Sequence, residues 1–477
     1  MPLSLTNTLT GRKEEFKPLK EGQVSLYVCG VTVYDHCHIG HARGAVVFDV
    51  LRRYLESDRF KFKVTHVRNI TDVDNKIIDR ACAEVQTGLA PDLKSAATAV
   101  ARRFEESFQA DFSRLGLLKP THEPRATEFI PKIIRFIADL IQKGMAYEGA
   151  DGVYFSVRKF SESNNEYGKL SGQKLDQMLE GVRIDPGEGK KEPMDFALWK
   201  KAKPEEPSWE SPWGLGRPGW HIECSTMSTD LLGDTFDIHG GGRDLIFPHH
   251  EDERAQSQGA GKEFARYWLH NGLLTVNGQK MSKSIGNIIT IGEALKRHSA
   301  DVLRMFFLSA HYRSPVDFTW DRLDAAANTY ERFTTFLARA DALGPIKEDL
   351  GVSPDKIEQA ERQFHKDMED DLNTPRALSD LFGLVENGNE WLKTNVMPVT
   401  ESDVKNAAAT LRRLGGTLGL FKSETGAAPE AQELARQRDE ARRKKDFSAS
   451  DRIRDQLVGM GYVVEDTAKG TQLRKRV

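Results

Sequence analysis

The apolar and polar positions in the N-terminal part of the chain predict a strand, a helix and a second strand. Residues 24–29 are largely apolar and flanked by polar positions, which is typical of a buried strand. Residues 45–56 bring their valine and leucine side chains onto one face of a helix, and residues 62–67 predict the second strand. A strand, a crossover helix and a parallel strand form the unit of a doubly wound sheet, so we predict an α/β fold of the Rossmann type.

The pattern then predicts further helices, a hairpin and an insertion. Residues 95–115 and 127–143 have apolar positions at helical spacing, and residues 146–157 predict a β-hairpin. Residues 161–218 are polar and rich in glycine, proline and lysine. We predict that they form an insertion between two halves of the nucleotide fold, which resumes at the strand-like residues 236–238 and the glycines that follow.

The C-terminal part of the chain has a different pattern. Residues 321–420 are almost wholly helical in their periodicity, and a break rich in glycine, alanine and proline follows at residues 426–429. The small unit after the break combines a basic helix with a basic tail. Its cationic side chains are Arg436, Arg438, Arg442, Arg443, Lys444, Lys445, Arg474, Lys475 and Arg476.

Composition narrows the class of protein. The chain has 477 residues, of which 39% are hydrophobic and 29% charged, and its length predicts about three domains. The apolar runs are too short for a membrane span, and the N-terminus lacks a basic and then apolar signal, so we expect a cytoplasmic protein with no membrane partner. A net charge of −3 means that a nucleic-acid partner would need a local basic face.

The sequence HIGH at residues 38–41 lies in a predicted loop, residues 30–44, that leads into the first helix. This position in an α/β sheet favours phosphate, because free backbone N–H groups and the helix dipole point there. His38 and His41 could donate hydrogen bonds to a triphosphate and stabilise the charge that develops on it. The alternative is a solvated histidine-rich loop.

The sequence KMSKS at residues 280–284 forms a second candidate site in a polar loop between Gly278 and Gly286. Lys280 and Lys283 could close over a departing pyrophosphate, whereas the alternative is a solvated basic loop. The two motifs together, in this order, point to an enzyme that activates a carboxylate with ATP. Asp244, which follows a run of three glycines, could bind ribose hydroxyls or simply form a turn.

Candidate metal ligands are scattered along the chain. The four cysteines, Cys29, Cys37, Cys82 and Cys224, are too few and too dispersed for a disulfide framework. His249 and Glu253 are four residues apart and share one face of a predicted helix. Two cysteines, one histidine and one carboxylate would suit tetrahedral Zn²⁺. Spacing alone does not join Cys29 to Cys224, so buried thiols beside a polar helix are the alternative.

Several longer strings extend these motifs into a family resemblance. The pair HIGH and KMSKS is similar to the class I aminoacyl-tRNA synthetases, and residues 27–35, 69–74, 219–225 and 237–251 resemble the cysteinyl-tRNA synthetases in particular. The resemblance runs from near the N-terminus to the last residues. It implies that ATP activates L-cysteine to cysteinyl-adenylate, with Mg²⁺ accompanying ATP, and that the cysteinyl group is transferred to tRNA(Cys).

The resemblance also assigns site residues. The positions that match the family's zinc ligands are Cys29, Cys224, His249 and Glu253, which implies one zinc ion per chain in the amino-acid pocket. Such an ion would bind the substrate sulfur as a thiolate, which serine and alanine cannot supply, so no editing domain is expected. Family analogy places Trp220, His239 and Thr71 at the pocket and makes Cys37 and Cys82 structural; core packing is the alternative for the first three.

The terminal unit resembles the family's anticodon-contacting region at residues 442–451 and 465–471. Basic side chains there would pair with phosphate, and polar groups would bind base edges, unless the helix is merely solvated. Phe447 and Leu473 stand where tryptophan is common in the family. Phenylalanine can still stack on a base, so the departure bears mainly on Leu473.

The resemblance assigns functions to the predicted segments. We expect a Rossmann catalytic domain in two halves, a connective insertion, a region with the KMSKS loop and stem contacts, a helical-bundle domain that binds tRNA, and a small anticodon-contacting domain. In that order their residues are 1–135 with 215–260, 136–214, 261–320, 321–425 and 426–477. We expect a monomer.

Two other functions remain to be weighed. A ligase that joins cysteine to an amino-sugar in thiol-cofactor biosynthesis shares the ATP and zinc motifs but lacks a C-terminal RNA-binding unit, whereas this chain continues well beyond Asp321. A non-catalytic zinc protein that binds RNA would not need the intact pairs His38/His41 and Lys280/Lys283.

Overall fold

A computed structural model describes residues 2–164, 166–173, 189–343, 355–393, 401–421, 429–460, 462–467 and 470–475. The strands are β1 Ser4–Asn7, β2 Arg12–Glu15, β3 Gln23–Thr32, β4 Lys63–Thr71, β5 Ala146–Glu148, β6 Gly152–Phe155, β7 Phe196–Lys201, β8 Gly216–Pro218, β9 Thr235–Gly242, β10 Phe264–Asn271, β11 Leu274–Val276, β12 Gln279–Lys280, β13 Val316–Phe318, β14 Tyr462–Thr467 and β15 Gly470–Lys475. The helices are α1 Ile39–Glu56, α2 Asn75–Gln86, α3 Leu93–Arg114, α4 Ile130–Gln142, α5 Val157–Asn164, α6 Trp220–Leu232, α7 Glu251–Gly259, α8 Ile291–Arg297, α9 Ala300–Leu308, α10 Trp320–Asp341, α11 Asp355–Glu369, α12 Thr374–Lys393, α13 Glu401–Thr417, α14 Pro429–Arg443 and α15 Phe447–Gly459.

A parallel sheet with the strand order β10-β9-β3-β4 confirms the predicted α/β fold. The unit β3-α1-β4 is the predicted strand, helix and strand. From the central pair β3 and β9, the chain crosses over to β4 on one side and to β10 on the other. The sheet therefore has a switch point between β3 and β9, and open α/β sheets bind ligands beyond the carboxyl ends of strands at such a point.

The start of the first helix was predicted wrongly. Helix α1 begins at Ile39 and not near residue 45, so the HIGH motif forms its first turn instead of a preceding loop. His38 is the N-cap, and its side chain accepts a hydrogen bond from the backbone of Gly40. Gly44 lies against Asn271, whose side-chain oxygen would be 3.2 Å from an added Cβ atom. The two glycines therefore mark close approaches of the helix to its neighbours, not a loop.

The predicted hairpin is confirmed as β5-β6, and two further strands extend it to an antiparallel sheet with the order β5-β6-β7-β8. Buried side chains of this sheet, such as Phe155 and Trp199, belong to the same hydrophobic core as Tyr27 and Phe236 of the parallel sheet. The segment predicted as an insertion therefore packs onto the nucleotide fold. Residues 174–188 of that segment lie outside the described residues.

The chain divides into two compact units. The first comprises residues 1–294, 307–319 and 365–376, and the second comprises residues 295–306, 320–364 and 377–477. Helices α10 to α13 confirm the helical prediction for the described part of residues 321–420. In the part of the chain that the structure describes, no helix is both long and apolar enough to cross a bilayer.

The terminal unit consists of the helix pair α14 and α15 and the antiparallel hairpin β14-β15. Its small core contains Ala431, Leu457, Tyr462 and Val464. Leu473 is partly buried and packs against this core. The predicted break at residues 426–429 lies largely outside the described residues.

Candidate active site

Four potential metal ligands meet beside the switch point of the parallel sheet. Cys29 lies near the carboxyl end of β3, Cys224 lies on α6, and His249 and Glu253 lie in the helical turns after β9. The ligand atoms of these four side chains all lie within 4.8 Å of one another. The Cys29 and Cys224 Sγ atoms are 3.8 Å apart although 195 positions separate the residues in sequence.

The donor set fits zinc. Cys29 Sγ lies 3.4 Å from Glu253 Oε1, and His249 Nε2 lies 2.9 Å from the same oxygen. The first separation is close to the roughly 3.3–3.7 Å expected between donors around one tetrahedral Zn²⁺ ion, and the second is a hydrogen-bonding distance that zinc binding would lengthen. Both thiols are free of disulfides, and the Glu253 carboxylate is fully buried with imidazoles as its partners. A divalent cation would compensate the negative charge that these donors carry when deprotonated.

The electrostatics of the cluster show competition for protons. Burial raises the pKa of Cys29 well above its ordinary value, and its neighbours Cys224 and Glu253 raise it further. Burial also opposes ionisation of Cys224, but hydrogen bonds from Cys29 and His249 outweigh it and lower the pKa of Cys224 to about 6. One thiolate is therefore favoured even before a metal binds, and thiolate is the form that ligates zinc.

A second group of donors overlaps the first, and one of its members, His250, was missed from the sequence. His239 and His250 combine with Cys29 and Glu253 into an equally compact group. His239 Nε2 lies 2.8 Å from Glu253 Oε2, and His250 Nε2 lies 3.3 Å from Cys29 Sγ. The group with two cysteines is the better zinc site because zinc favours thiolate ligands. In that arrangement His239 would orient the Glu253 carboxylate and His250 the Cys29 thiolate by hydrogen bonds, without binding the metal themselves.

A chain of hydrogen bonds extends from Cys29 through two buried histidines. His250 Nδ1 lies 2.8 Å from His270 Nε2, and His270 Nδ1 lies 2.7 Å from Thr8 Oγ1. One consistent set of tautomers lets each imidazole donate toward Cys29 and accept from the side of Thr8. The only sequence signal for this chain of hydrogen bonds was the adjacent pair His249 and His250, which does not identify the partners of either ring.

Three further residues that the family analogy assigned to the pocket surround the cluster. The Trp220 ring stacks on His249 with centroids 4.1 Å apart and is 39% exposed, so it covers this donor on one side. His239 is fully buried and stacks on Trp268. Thr71 is buried at the end of β4. Its hydroxyl donates a hydrogen bond at 3.0 Å to Glu223, the residue that precedes Cys224.

The two histidines of the HIGH motif stack at the N-terminus of α1. Their ring centroids are 3.8 Å apart, with an angle of 17° between the planes. Nδ1 of His38 accepts from the backbone N–H of Gly40, and Nδ1 of His41 accepts from the backbone N–H of His38. In the neutral rings the proton must therefore sit on Nε2.

Both rings favour this neutral form. Desolvation in the cleft lowers the pKa of His38 despite the nearby Asp244. His41 has an edge open to solvent but is recessed, and desolvation with the neighbouring His38 and Lys76 lowers its pKa as well. Each ring therefore presents an Nε2–H donor without carrying a charge.

The KMSKS loop lies over this first turn. The methyl group of Met281 would be 2.9 Å from a Cβ atom added to Gly40, and the backbone N–H of Ile39 donates to Ile289 at 3.0 Å. The hairpin β11-β12 ends at Lys280. Lys283 Nζ lies 2.5 Å from Asp35 Oδ2 and 4.3 Å from the centre of the Tyr34 ring. The tertiary structure thus brings the two distant motifs together.

Asp244 lies in the short helical turn Arg243–Leu245 directly after β9. Its side chain folds back so closely that a Cβ atom at Gly242 would be 2.3 Å from Asp244 Oδ1. Its charge also raises the pKa of His38, against the larger effect of desolvation. The carboxylate is therefore exposed on the same side of the sheet as the HIGH motif.

In the terminal unit, some of the basic residues are used internally. Arg438 is buried, and its guanidinium pairs with Asp466 at 2.6 Å. Arg442 pairs with the same carboxylate at 2.7 Å. Arg438 is therefore not available to an RNA phosphate and packs into the core of the unit instead. Phe447 is 63% exposed at the start of α15, whereas Leu473 packs inward.

Comparisons with known proteins give the same picture along the whole chain. Family models match as follows: the class I (C) tRNA synthetase catalytic domain at residues 15–328, the DALR domain at residues 363–422, and the cysteinyl-tRNA ligase anticodon binding domain at residues 424–474. A cysteine--tRNA ligase of Syntrophotalea carbinolica is 47% identical over 502 residues and covers 100% of both chains. One from Geobacter metallireducens is 48% identical over 495 residues and covers 99% of both.

Solved structures support the fold. The Mycobacterium tuberculosis methionyl-tRNA synthetase in complex with methionyl-adenylate superimposes with a TM-score of 0.65 at 15% identity, over 86% of this chain and 94% of that chain. A putative arginyl-tRNA synthetase from Campylobacter jejuni gives a TM-score of 0.58 at 14% identity, over 85% and 94%. At such low identity these similarities show the fold alone.

Proposed function

Because this chain belongs to the cysteinyl-tRNA synthetases and joins L-cysteine to tRNA with ATP, we propose how its own residues perform that reaction. The observation that carries the proposal is the juxtaposition of two sites at one edge of the parallel sheet. One is the group Cys29, Cys224, His249 and Glu253, and the other is the first turn of α1 beneath the KMSKS loop. The amino-sugar ligase is not favoured, because the anticodon-domain match covers residues 424–474.

ATP would bind with its phosphates at the N-terminus of α1. The helix dipole and the Nε2–H groups of His38 and His41 favour negative charge there, and Mg²⁺ would accompany the phosphates. Asp244 would accept hydrogen bonds from the ribose hydroxyls. Both neutral imidazoles would stabilise the negative charge that develops on the phosphates by donating hydrogen bonds from Nε2–H.

In the first step an oxygen of the cysteine carboxylate attacks the α-phosphorus atom of ATP. The bond between that phosphorus and the bridging oxygen breaks, and pyrophosphate leaves with the electron pair. Lys280 and Lys283 would neutralise the charge that builds on pyrophosphate, while the closed loop excludes water. In the second step a ribose hydroxyl at the end of the tRNA attacks the adenylate carbonyl carbon and gives up its proton, the bond from that carbon to the phosphate oxygen breaks, and AMP leaves with the electron pair.

Selection of cysteine would depend on Cys29, Cys224, His249 and Glu253, which we propose as the ligands of one zinc ion. The ion would bind the substrate side chain as a thiolate, which serine cannot form near neutral pH. The chain's own residues hold this site: His239 fixes the second oxygen of Glu253, and Trp220 covers His249. Thr71 would act through Glu223 beside Cys224.

We propose the following role for each segment of the chain. Residues 1–135 with 215–260 would form the catalytic halves, residues 136–214 the connective insertion, and residues 261–320 the loop and stem-contact region. Residues 321–425 and 426–477 would bind the body and the anticodon of the tRNA. Exposed Phe447 is suited to stack on an unpaired base. We further propose a monomer that acts in the cytoplasm.

A charging assay tests the proposed function. Purified protein, ATP, Mg²⁺ and total tRNA should incorporate labelled cysteine into acid-precipitable RNA, with incorporation of labelled serine lower by about 10⁴-fold or more, because the zinc site would have to bind the group that serine lacks. Cysteine-dependent pyrophosphate exchange without label on tRNA would point to another acceptor and favour the amino-sugar ligase. Label from serine at a comparable rate would contradict the role of the donor cluster.

Alanine at Gly40 should slow adenylate formation by about tenfold, because small misplacements of catalytic groups are costly. The added methyl group would be 2.9 Å from both the His38 ring and the Met281 methyl group, so the imidazole or the loop must move. Gly383→Ala is the matched control, since nothing lies within 4 Å of its added Cβ atom. Pyrophosphate exchange measures both variants; equal rates for Gly40→Ala and the native chain would remove this constraint.

A further inference from the structure

Arg43, two positions after the HIGH motif on α1, is a buried cation with an unusual set of partners. Its side chain is 1% exposed. It donates to the carbonyl oxygens of Gly272 and Leu273, both at 2.7 Å, and to those of Tyr312, at 3.4 Å, and Ser314. Among the residues that the structure describes, no carboxylate forms an ion pair with it.

Burying a guanidinium without a counter-ion is costly, so its retention calls for a physical reason. Burial lowers the pKa of Arg43 to about 10, which still leaves it charged at neutral pH. Its planar fork can bind several carbonyl oxygens from separate chain segments at once. The lysine ammonium is a compact donor on a flexible stem and does not reproduce that geometry.

The four carbonyls belong to two connecting segments at the base of the KMSKS loop, which we call the crossings. Gly272 and Leu273 connect β10 to β11, and Tyr312 and Ser314 precede β13. Strands β11 and β13 pair in parallel, and β11 continues into the hairpin that carries Lys280. The crossings are pressed together, because a Cβ atom at Gly272 would be 2.2 Å from the Ser314 oxygen.

The far end of the loop is also attached to α1 and the residues before it. Ile39 N–H donates to Ile289, and Ile291 N–H donates to Cys37, both at 3.0 Å. These backbone contacts and the Arg43 contacts lie on the two sides of residues 280–284. The loop is therefore fastened at its base and at its exit to the same helix that carries His38 and His41.

We propose that Arg43 is a positioning residue for the activation step: it holds the base of the KMSKS loop in register with the HIGH turn. This inference rests on the proposed roles of His38, His41, Lys280 and Lys283. It implies that loss of the guanidinium misplaces the lysines relative to the phosphates and lowers the rate of adenylate formation. Cysteine binding at the donor cluster is unaffected, because none of its four residues contacts Arg43.

The test compares Arg43→Lys with Arg52→Lys, a change at a partly buried arginine of the same helix that pairs with Glu56 and donates to the carbonyl oxygen of Lys119. Pyrophosphate exchange is measured against ATP and cysteine in the native chain and both variants. For Arg43→Lys we expect kcat to fall by about tenfold to a hundredfold, with the KM for cysteine within about twofold and zinc content unchanged. Arg52→Lys should match the native chain.

A second readout separates positioning from a general loss of structure. Trypsin cleavage after Lys280 and Lys283, with and without ATP, reports the loop directly. ATP should protect these sites in the native chain and in Arg52→Lys but protect them less in Arg43→Lys. Equal kcat and equal protection in Arg43→Lys would overturn the inference, and so would a proportional loss of exchange and cysteine affinity.

A third variant keeps the test decisive if Arg43→Lys does not fold. Gly272→Ala retains Arg43 but forces the two crossings apart, so it should reproduce the fall in kcat with unchanged zinc content. A native rate in folded Gly272→Ala would also overturn the inference. Absence of cysteine-dependent exchange in the native chain would instead refute the proposed function, so the two failures are distinguishable.

Discussion

Cys224→Ser should lose most of its zinc and bind cysteine roughly 100-fold more weakly or worse, while its affinity for ATP changes by less than about threefold. The Cys224 side chain is buried, and its Sγ atom lies 3.8 Å from Cys29 Sγ, a distance at which both sulfur atoms could bind the same ion. A serine hydroxyl does not ionise near neutral pH and is a poor replacement for thiolate. ATP binds at α1 in the proposed mechanism, which explains the unequal effects.

The measurement combines zinc content by atomic emission with calorimetric titration of cysteine and of a non-hydrolysable ATP analogue. Cys82→Ser is the matched control, because the Cys82 thiol lies on α2 outside the donor groups and is only partly buried. We expect it to keep one zinc ion and native affinities. Loss of cysteine and ATP affinity to the same extent in Cys224→Ser would show a general collapse and would argue against a metal that binds substrate.

Lys283→Ala should slow the formation of cysteinyl-adenylate by about 10²- to 10³-fold with little change in cysteine affinity. The ammonium group would lie against the leaving pyrophosphate in the transition state and makes no contact with the donor cluster. In the structure Lys283 pairs with Asp35 at 2.5 Å over the Tyr34 ring, but its side chain is 53% exposed. Such a surface pair contributes little to stability, so the variant should fold normally.

Rapid-quench measurement of a single turnover isolates this step from tRNA charging. Lys296→Ala removes an exposed lysine in the last turn of α8 and tests whether loss of any positive charge has the same effect. It should leave the rate unchanged. A native single-turnover rate in Lys283→Ala would show that Lys283 does not act in the activation step. A large loss of cysteine affinity would show that Lys283 contributes to cysteine binding, contrary to its assigned role at pyrophosphate.

The elements that were predicted correctly have strong local signals. The strand, helix and strand of the nucleotide fold and the hairpin at residues 146–157 follow from hydrophobic periodicity and turn residues, which report local structure. The start of α1 was missed because glycine is normally unfavourable in a helix. Met281 and Asn271 approach Gly40 and Gly44 so closely that little room is left for a larger side chain at either position. A local sequence pattern does not record that approach.

The same distinction applies to the basic helix of the terminal unit. Sequence alone shows a run of cations, which would suit phosphate binding anywhere along its length. The structure shows that Arg438 is buried against Asp466, a residue on the other side of a helix and a turn. Which cation is available to a partner is decided by how α14 packs on the hairpin, and charge patterning does not encode that packing.

At the candidate active site, the HIGH and KMSKS motifs and the family could be recognised from the sequence, because each depends on a specific run of consecutive residues. Three sets of contacts became visible in the folded chain alone: Cys29 meets Cys224, His239 and His250 bind Glu253 and Cys29, and Arg43 binds the base of the KMSKS loop. These contacts join segments far apart in the chain. Their geometry depends on sheet order and helix packing, which arise from the fold as a whole and not from any local stretch.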